Sequence, residues 1–283
     1  MRLINFDKGG QATLGILRED EIVDLSLAAP SLPRSLRAVL EAGALDEVMS
    51  FGQSAAHAAL SSVRLLAPIT DPSKIICLGL NYVDHAAEGG HAKPEYPSFF
   101  MRGPSSLVAH GDAIVQPKAS VTLDYEAELV AIVGKPVGRH VALADALQYI
   151  AGYSCFNDGS IREYQRRTSQ WTIGKNFDGT GGFGPAFVTA DELPPGATGL
   201  RICSRLNGDV MQDANTSDML FPVAETVSLL SQCMTLVPGD LLVMGTPAGV
   251  GHARTPPVWM KPGDVCEIEI EQVGLLSNPI VAE

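Results

Sequence analysis

Apolar residues along this chain fall mostly into short alternating or continuous runs, and the 3.6-residue spacing of helices is confined to a few segments. Residues 2–6, 13–17 and 22–25 read as strands broken by "DKGGQ" and "REDE". "SLPRSLRAVLEAG" then predicts a helix capped by Ser31 and stopped by Gly43, and "DEVMSFGQSAAHAAL" predicts a second with an acidic first turn. "LLAPITDPSK" reads as a linker, which puts a domain boundary near residue 68: a small N-terminal α+β domain over 1–68 and a larger domain over 69–283. Beyond it come "IICLGL", "SFFMR", "DYEAELVAIVG", "YIAGYSCFND", "PAFVTA", "LRICSRLNG", "LLVMG" and "VCEIEIEQVG", all strand-like. Helices are expected only around 81–88, 143–148 and 160–166 and in "PVAETVSLLSQCM". Two of the strands follow Pro-Gly-Asp, a turn in which Pro sets φ and Gly supplies a positive φ. The strands show no βαβ rhythm, so the fold class is α+β and mainly β, a mixed sandwich or roll with peripheral helices.

One strand carries charges that its pattern does not explain. Glu126 and Glu128 in "DYEAELVAIVG" point to the same face, flanked by Leu129, Val130, Ile132 and Val133. Like charges so close repel and resist desolvation. Either the face is the exposed side of an edge strand or something compensates. A divalent cation would, and Asp158, ending the apolar strand "YIAGYSCFND", is a third candidate ligand. Oxygen ligands without interleaved Cys or His favour Mg²⁺, Mn²⁺ or Ca²⁺ over Zn²⁺.

Arg162 and Gln165 follow Asp158 by four and seven residues, which on a helix keeps the three on one side, and Lys175 follows Trp171. Upstream, His85 and Glu88 are one turn apart before Gly89 and Gly90, either a surface pair or a general base on a hinged lid. "GTGGFG" matches a dinucleotide fingerprint only literally, because Pro185 and a strand follow it instead of a helix. "GTPAGVG" lacks the Gly-Lys-Ser/Thr of a P-loop; it is a tight turn or a cradle of backbone amides for a carboxylate or oxyanion.

Bulk properties narrow the partners. At 283 residues, 46% hydrophobic and 18% charged, the chain is globular, and a net charge of -12 speaks against nucleic acid. No run approaches the ~18 apolar residues of a membrane span and no h-region opens the chain, so a cytoplasmic protein is expected. Five scattered cysteines, never in C-x-x-C, read as buried thiols.

With these residues in view, the chain closely resembles the fumarylacetoacetate hydrolase family. The resemblance is carried by "GLNYVDHAAE", "DYEAELVAIVGK", "AGYSCFNDGSIREYQ", "WTIGKNFDGTGGFGP", "LNGDVMQDANTSDMLF", "LVPGDLLVMGTPAGVG" and "KPGDVCEIEIEQVG", in the family's order across residues 74 to 280. It implies a β-roll catalytic domain, a homodimer, and a Mg²⁺ or similar ion on Glu126, Glu128 and Asp158. It also implies catalytic roles for His85, Glu88 and Lys175, and substrate contacts from Tyr82, Arg162, Gln165 and Thr246. The chain departs from the family twice. Leu78 stands where larger eukaryotic members carry a further Asp ligand, and "MRGP" replaces a common Lys-Pro, which makes Arg102 a candidate carboxylate grip.

The activity implied is hydrolysis of a C–C bond in a 3-acylpyruvate or related 1,3-diketo acid, with maleyl- or fumarylpyruvate as examples. The His85/Glu88 pair would activate water, and Lys175 with Gln165 would stabilise the oxyanion. The same site could serve oxaloacetate decarboxylation, isomerisation of hydroxymuconate-type dienes, or hydrolysis or dehydration of diketo-deoxy sugar acids. A non-catalytic binder of small acids would not need the base pair or Lys175.

Overall fold

A computed structural model describes residues 1–84 and 94–283. Among them, twelve strands form one mixed sheet, in the order Ala58–Ala59, Glu21–Asp24, Gln11–Arg18, Arg2–Lys8, Gly181–Thr189, Ile150–Asn157, Ala127–Val133, Leu241–Val243, Ile75–Gly79, Ser98–Arg102. Arg64–Leu66 and Leu107–Ala109 pair at its side with Arg2–Lys8 and Gly181–Thr189. A second sheet of five strands runs Asp209–Asn215, Arg201–Leu206, Val265–Ile270, Gly274–Ala282, Ile114–Gln116. The fold is a mainly β sandwich of mixed sheets, as the strand pattern predicts.

Ala127–Val133 is buried along its whole length because both of its faces are covered. Leu129, Ala131 and Val133 pack with Ile202, Ile268 and Leu276 of the five-stranded sheet. Val130 and Ile132 face the other way, into a core shared with Ile75, Cys77, Phe156 and Leu36 and Val39 of an N-terminal helix. Glu126 and Glu128 extend this second face.

The segment before residue 68 is hydrogen-bonded into the large sheet through Arg2↔Val188 and Leu3↔Phe187. Its strands appear where the alternation puts them, but its helices are shorter than expected. The first is Leu36–Glu41, capped by Ser35 and not Ser31, since Pro33 disfavours helical geometry at the residue before it. Gly43, at φ +64°, ends the helical stretch as anticipated. The second is Leu45–Ser50 only; the expected continuation meets Gly52 and becomes the strand Ala58–Ala59. Val223–Cys233 forms as its spacing predicts, the 143–149 turn is 3₁₀, and Arg162–Gln165 is a single helical turn. His85, Glu88 and most of the helix expected over 81–88 lie outside the described residues. No helix among those described is long and apolar enough to cross a membrane.

Both Pro-Gly-Asp turns form with the glycine at positive φ, 85° at Gly239 and 94° at Gly263. In each the following Asp accepts from the backbone three residues earlier, Asp240 from Val237 N and Asp264 from Lys261 N. Asp240 also accepts from Lys74 Nζ and Lys74 N, both at 2.9 Å, which fastens the start of Ile75–Gly79 to its parallel neighbour Leu241–Val243. Removing this buried acceptor strands three donors. Asp240→Ala should therefore cost about 3 kcal/mol, read as a lower urea midpoint at unchanged slope; a loss below about 0.5 kcal/mol would refute this role.

Candidate active site

Antiparallel pairing of Ala127–Val133 with Ile150–Asn157 matches Ala127 with Asn157, so Glu126 and Asp158 fall at the same end of adjacent strands. Asp158 N donates to Glu126 O at 3.0 Å and Asn157 Oδ1 accepts from Glu126 N at 3.0 Å, which closes that end. Glu126, Glu128 and Asp158 are all buried, and one oxygen from each lies within 4.8 Å of the others.

Three cations are buried with them. Lys175 Nζ lies 2.7 Å from Glu126 Oε2 and 2.6 Å from Asp158 Oδ2. Arg162 bridges Glu126 Oε1 at 2.6 Å and Asp124 Oδ2 at 2.7 Å, and its Nη1 also donates to Gln165 Oε1. Arg102 Nη1 lies 2.5 Å from Asp158 Oδ1. Burial favours the neutral amine, but the Asp158 and Glu126 charges outweigh it and raise the Lys175 pKa, so the ammonium persists. Burial also opposes ionisation of Asp124, yet Arg162 and the hydrogen bonds it accepts hold that carboxyl below the ordinary range. Glu128 goes the other way. Desolvation, then the charges of Asp158 and Glu126, push it well above the usual carboxylate value, and Lys175 and the Gly245 N–H offset this only in part.

"GTPAGVG" supplies the amide cradle, but it holds the protein's own carboxylates. Gly245 N donates to Glu128 Oε2 at 2.6 Å, while Gly251 N and His252 N donate to Asp124 at 2.8 and 2.9 Å. Gly245 is required there: it sits at φ +83°, and a Cβ would come within 2.7 Å of Asn81 Cβ. "GTGGFG" likewise makes room for a side chain and not a nucleotide, since a Cβ on Gly181 would lie 2.6 Å from Arg102 Nη2.

A cavity of about 460 Å³ opens onto these groups. Glu126, Glu128, Arg162, Gln165, Lys175 and Thr246 line it together, and Leu78, Leu80, Phe100 and Trp171 form an apolar wall. Trp171 packs directly on Gly79, where a Cβ would be 1.9 Å from the indole, and meets Phe100 edge-on with ring centroids 5.8 Å apart. Lys175 has all its protons engaged, with Glu126 and with the side chain and carbonyl of Asp158, so it acts as a fixed positive charge. Thr246 Oγ1 accepts from Gln212 Nε2 and Gln165 spends its oxygen on Arg162, so among the described residues the Thr246 hydroxyl proton and the Gln165 amide protons are free.

Two expected substrate contacts lie elsewhere. Arg102 is behind Asp158, spent on Asp158, Ser106, Thr180 and Gly159 O, and its guanidinium lies 5.7 Å from the Phe156 ring centroid. It steadies a carboxylate of the protein and reaches no ligand space. Tyr82 is packed in the core with its hydroxyl buried and unpartnered, beside a different cavity of about 290 Å³. Two polar cavity residues escaped the sequence reading, Thr168 and His252, whose Nδ1 is 3.4 Å from Asp124 Oδ2; Arg166, which its pattern assigns to a solvated helix face, lines the cavity as well. Asp124 was legible only as the first residue of "DYEAEL".

The model of the domain described as "Fumarylacetoacetate (FAA) hydrolase C-terminal" matches residues 74–281. The chain belongs to the fumarylacetoacetate hydrolase family. Its match to "Oxaloacetate tautomerase fahd2, mitochondrial" of Xenopus laevis is 40% identical and covers 99% of this chain and 90% of that protein. Human "Oxaloacetate tautomerase FAHD2A, mitochondrial" is 39% identical over 92% of this chain and 84% of its own length. Both names carry "mitochondrial" for those relatives. Among solved structures, fumarylacetoacetate hydrolase from Exiguobacterium antarcticum superposes with a TM-score of 0.86 at 35% identity, covering 100% of both chains. Maleylpyruvate hydrolase from Sphingobium sp. SYK-6, in complex with manganese(II) and pyruvate, gives 0.82 at 30% identity over 100% of this chain and 99% of the other. This family member therefore shares its fold with hydrolases of small oxo acids.

The donor set suits a hard divalent cation: three buried carboxylates, one of them an acid that resists ionisation without further positive charge. The sign of the pH effect follows. With Glu128 raised above 4.5, the cation-free fold binds more protons than the unfolded chain, so its stability falls as pH rises through that window. A cation must displace that proton. Mn²⁺ titrations in buffers of different ionisation enthalpy should show proton release and an affinity that climbs as pH rises above the ordinary carboxylate range; pH-independent binding without release would refute it.

Proposed function

We propose that this protein interconverts the enol and keto forms of oxaloacetate or a closely related 2-oxo acid, as a cation-dependent tautomerase. The observation that carries the reading is the 40% identity to the Xenopus laevis oxaloacetate tautomerase across 99% of the chain. It replaces acylpyruvate C–C hydrolysis as the leading expectation. Chemistry supports the change, because tautomerisation requires proton movement and enolate stabilisation but no activated water. The groups in hand serve that step. Glu126, Glu128 and Asp158 would hold a divalent cation, Mg²⁺ or Mn²⁺, which when bound supplies Lewis-acid polarisation of a 2-oxo carbonyl.

Arg162, whose buried Nη2 has no hydrogen-bond partner among the described residues, offers a charged donor to the substrate's carboxylate or enolate oxygen. Lys175 contributes fixed positive charge where negative charge develops on oxygen. Thr246 and Gln165 present free protons that orient the acid. Phe100 and Trp171 exclude water from one side, which strengthens each of these interactions.

Hydrolysis of an acylpyruvate such as maleylpyruvate stands as a second reading, favoured by the maleylpyruvate hydrolase likeness. It would call on His85 and Glu88 as the base for water. Both reactions pass through the same kind of enolate and differ in what happens at the distal carbon.

The discriminating experiment follows enol absorbance of oxaloacetate and pyruvate release from maleylpyruvate in parallel, with Mn²⁺ and with EDTA. Accelerated ketonisation, abolished by EDTA and reduced at least about 100-fold in Glu126→Gln, is expected, with little pyruvate formed. Ketonisation no faster than in buffer alone would sink the tautomerase reading, and rapid pyruvate release would select the hydrolase.

A further inference from the structure

The one-turn helix Arg162–Gln165 and the residue after it set Arg162 and Arg166 four positions apart on the wall of one cavity. Like charges at that spacing repel. Their surroundings differ. Arg162 is buried, tied to Asp124 and Glu126, and keeps one nitrogen, Nη2, unpartnered among the described residues. Arg166 is exposed, and among the described residues its guanidinium has no hydrogen bond or ion pair; only its backbone N–H is engaged, with Arg162 O. Neighbouring cations are spent: Arg102 on Asp158, Lys175 on Glu126 and Asp158, and Arg167 over the Tyr164 ring at 3.7 Å.

Charge accounting gives the repulsion a purpose. Each inner cation is paired with a buried carboxylate, Arg102 with Asp158, Arg162 with Asp124 and Glu126, and Lys175 with Glu126 and Asp158. Arg166 is outside these pairs. Among the described residues, Leu78, Leu80, Phe100 and Trp171 line the same cavity with apolar surface. A free guanidinium and an unpartnered guanidinium nitrogen one helical turn apart match a carboxylate, which would also relieve their repulsion.

We propose that Arg166, with Arg162 Nη2, binds the distal carboxylate of the substrate and makes the site selective for dicarboxylate 2-oxo acids over monocarboxylates. This rests on the reading that a 2-oxo acid occupies the cavity with its inner end at Glu126, Glu128 and Asp158. Arg166 is then a specificity residue, and the proton transfer belongs to other groups.

Oxaloacetate and its 4-ethyl ester share the 2-oxo acid end and differ in the distal charge, so their ratio isolates Arg166. Both are assayed for enol–keto interconversion by the Mn²⁺-loaded protein, and both are titrated calorimetrically. The wild type should prefer the diacid by at least about tenfold in kcat/KM and in affinity. Arg166→Met should lower that preference about tenfold, mostly through KM, and Arg166→Lys should recover part of it. A wild type that does not distinguish the two, an unchanged ratio in Arg166→Met, or equal weakening of both compounds overturns the proposal. If neither compound is interconverted, the tautomerase reading falls while the calorimetric ratio still decides the role of Arg166; absence of diacid binding overturns that role as well.

Discussion

The fold hangs on burying three carboxylates and three cations together where two central strands end. Isolated, any one of these charges would be too costly to desolvate. Asp124, Glu126 and Asp158 pair with Arg102, Arg162 and Lys175 at distances of 2.5 to 2.7 Å, and Glu128 beside them accepts from the Gly245 N–H. Asp158 is gripped from behind by Arg102 and met on its other oxygen by Lys175, so its position depends on residues from three separate stretches of chain. Loss of a partner leaves an uncompensated charge in the sandwich. Hence the cluster is as much a structural element as a chemical one.

Much of this was legible in the sequence, for reasons that can be named. The period of two along "EAELVAIV" sets Glu126 and Glu128 on one face, and the apolar run before Asp158 ends a strand. Pro-Gly-Asp reads as a turn because each residue has its own job there. What could not be read depends on contacts between distant segments. Nothing near "MRGP" indicates that Arg102 meets an aspartate 56 residues later, or that its remaining donors are taken by Ser106 and Thr180. Nor does "GTPAGVG" say whose carboxylates its amides hold. The N-terminal strands were found but not their docking, because a strand's pattern names its faces and not its neighbours.

The cavity has two unlike halves. Its floor is made of strand ends and a glycine loop that hold one another through charge and backbone amides. Its rim, 166–171, is a turn after a single helical turn, with few obligations to the core. Substitutions at the rim can change which acid is accepted without unbalancing the floor.

Trp171 gives the rim an optical property. The chain has two tryptophans, and this one lies against the backbone of Gly79 on the cavity wall, where it borders the space a ligand would fill. Indole emission shifts with the polarity and hydration of its surroundings. The missing side chain at Gly79 therefore does more than make room for an aromatic ring; it seats a native fluorophore where solvent and ligand exchange, so occupancy of the cavity can be followed in the unlabelled protein.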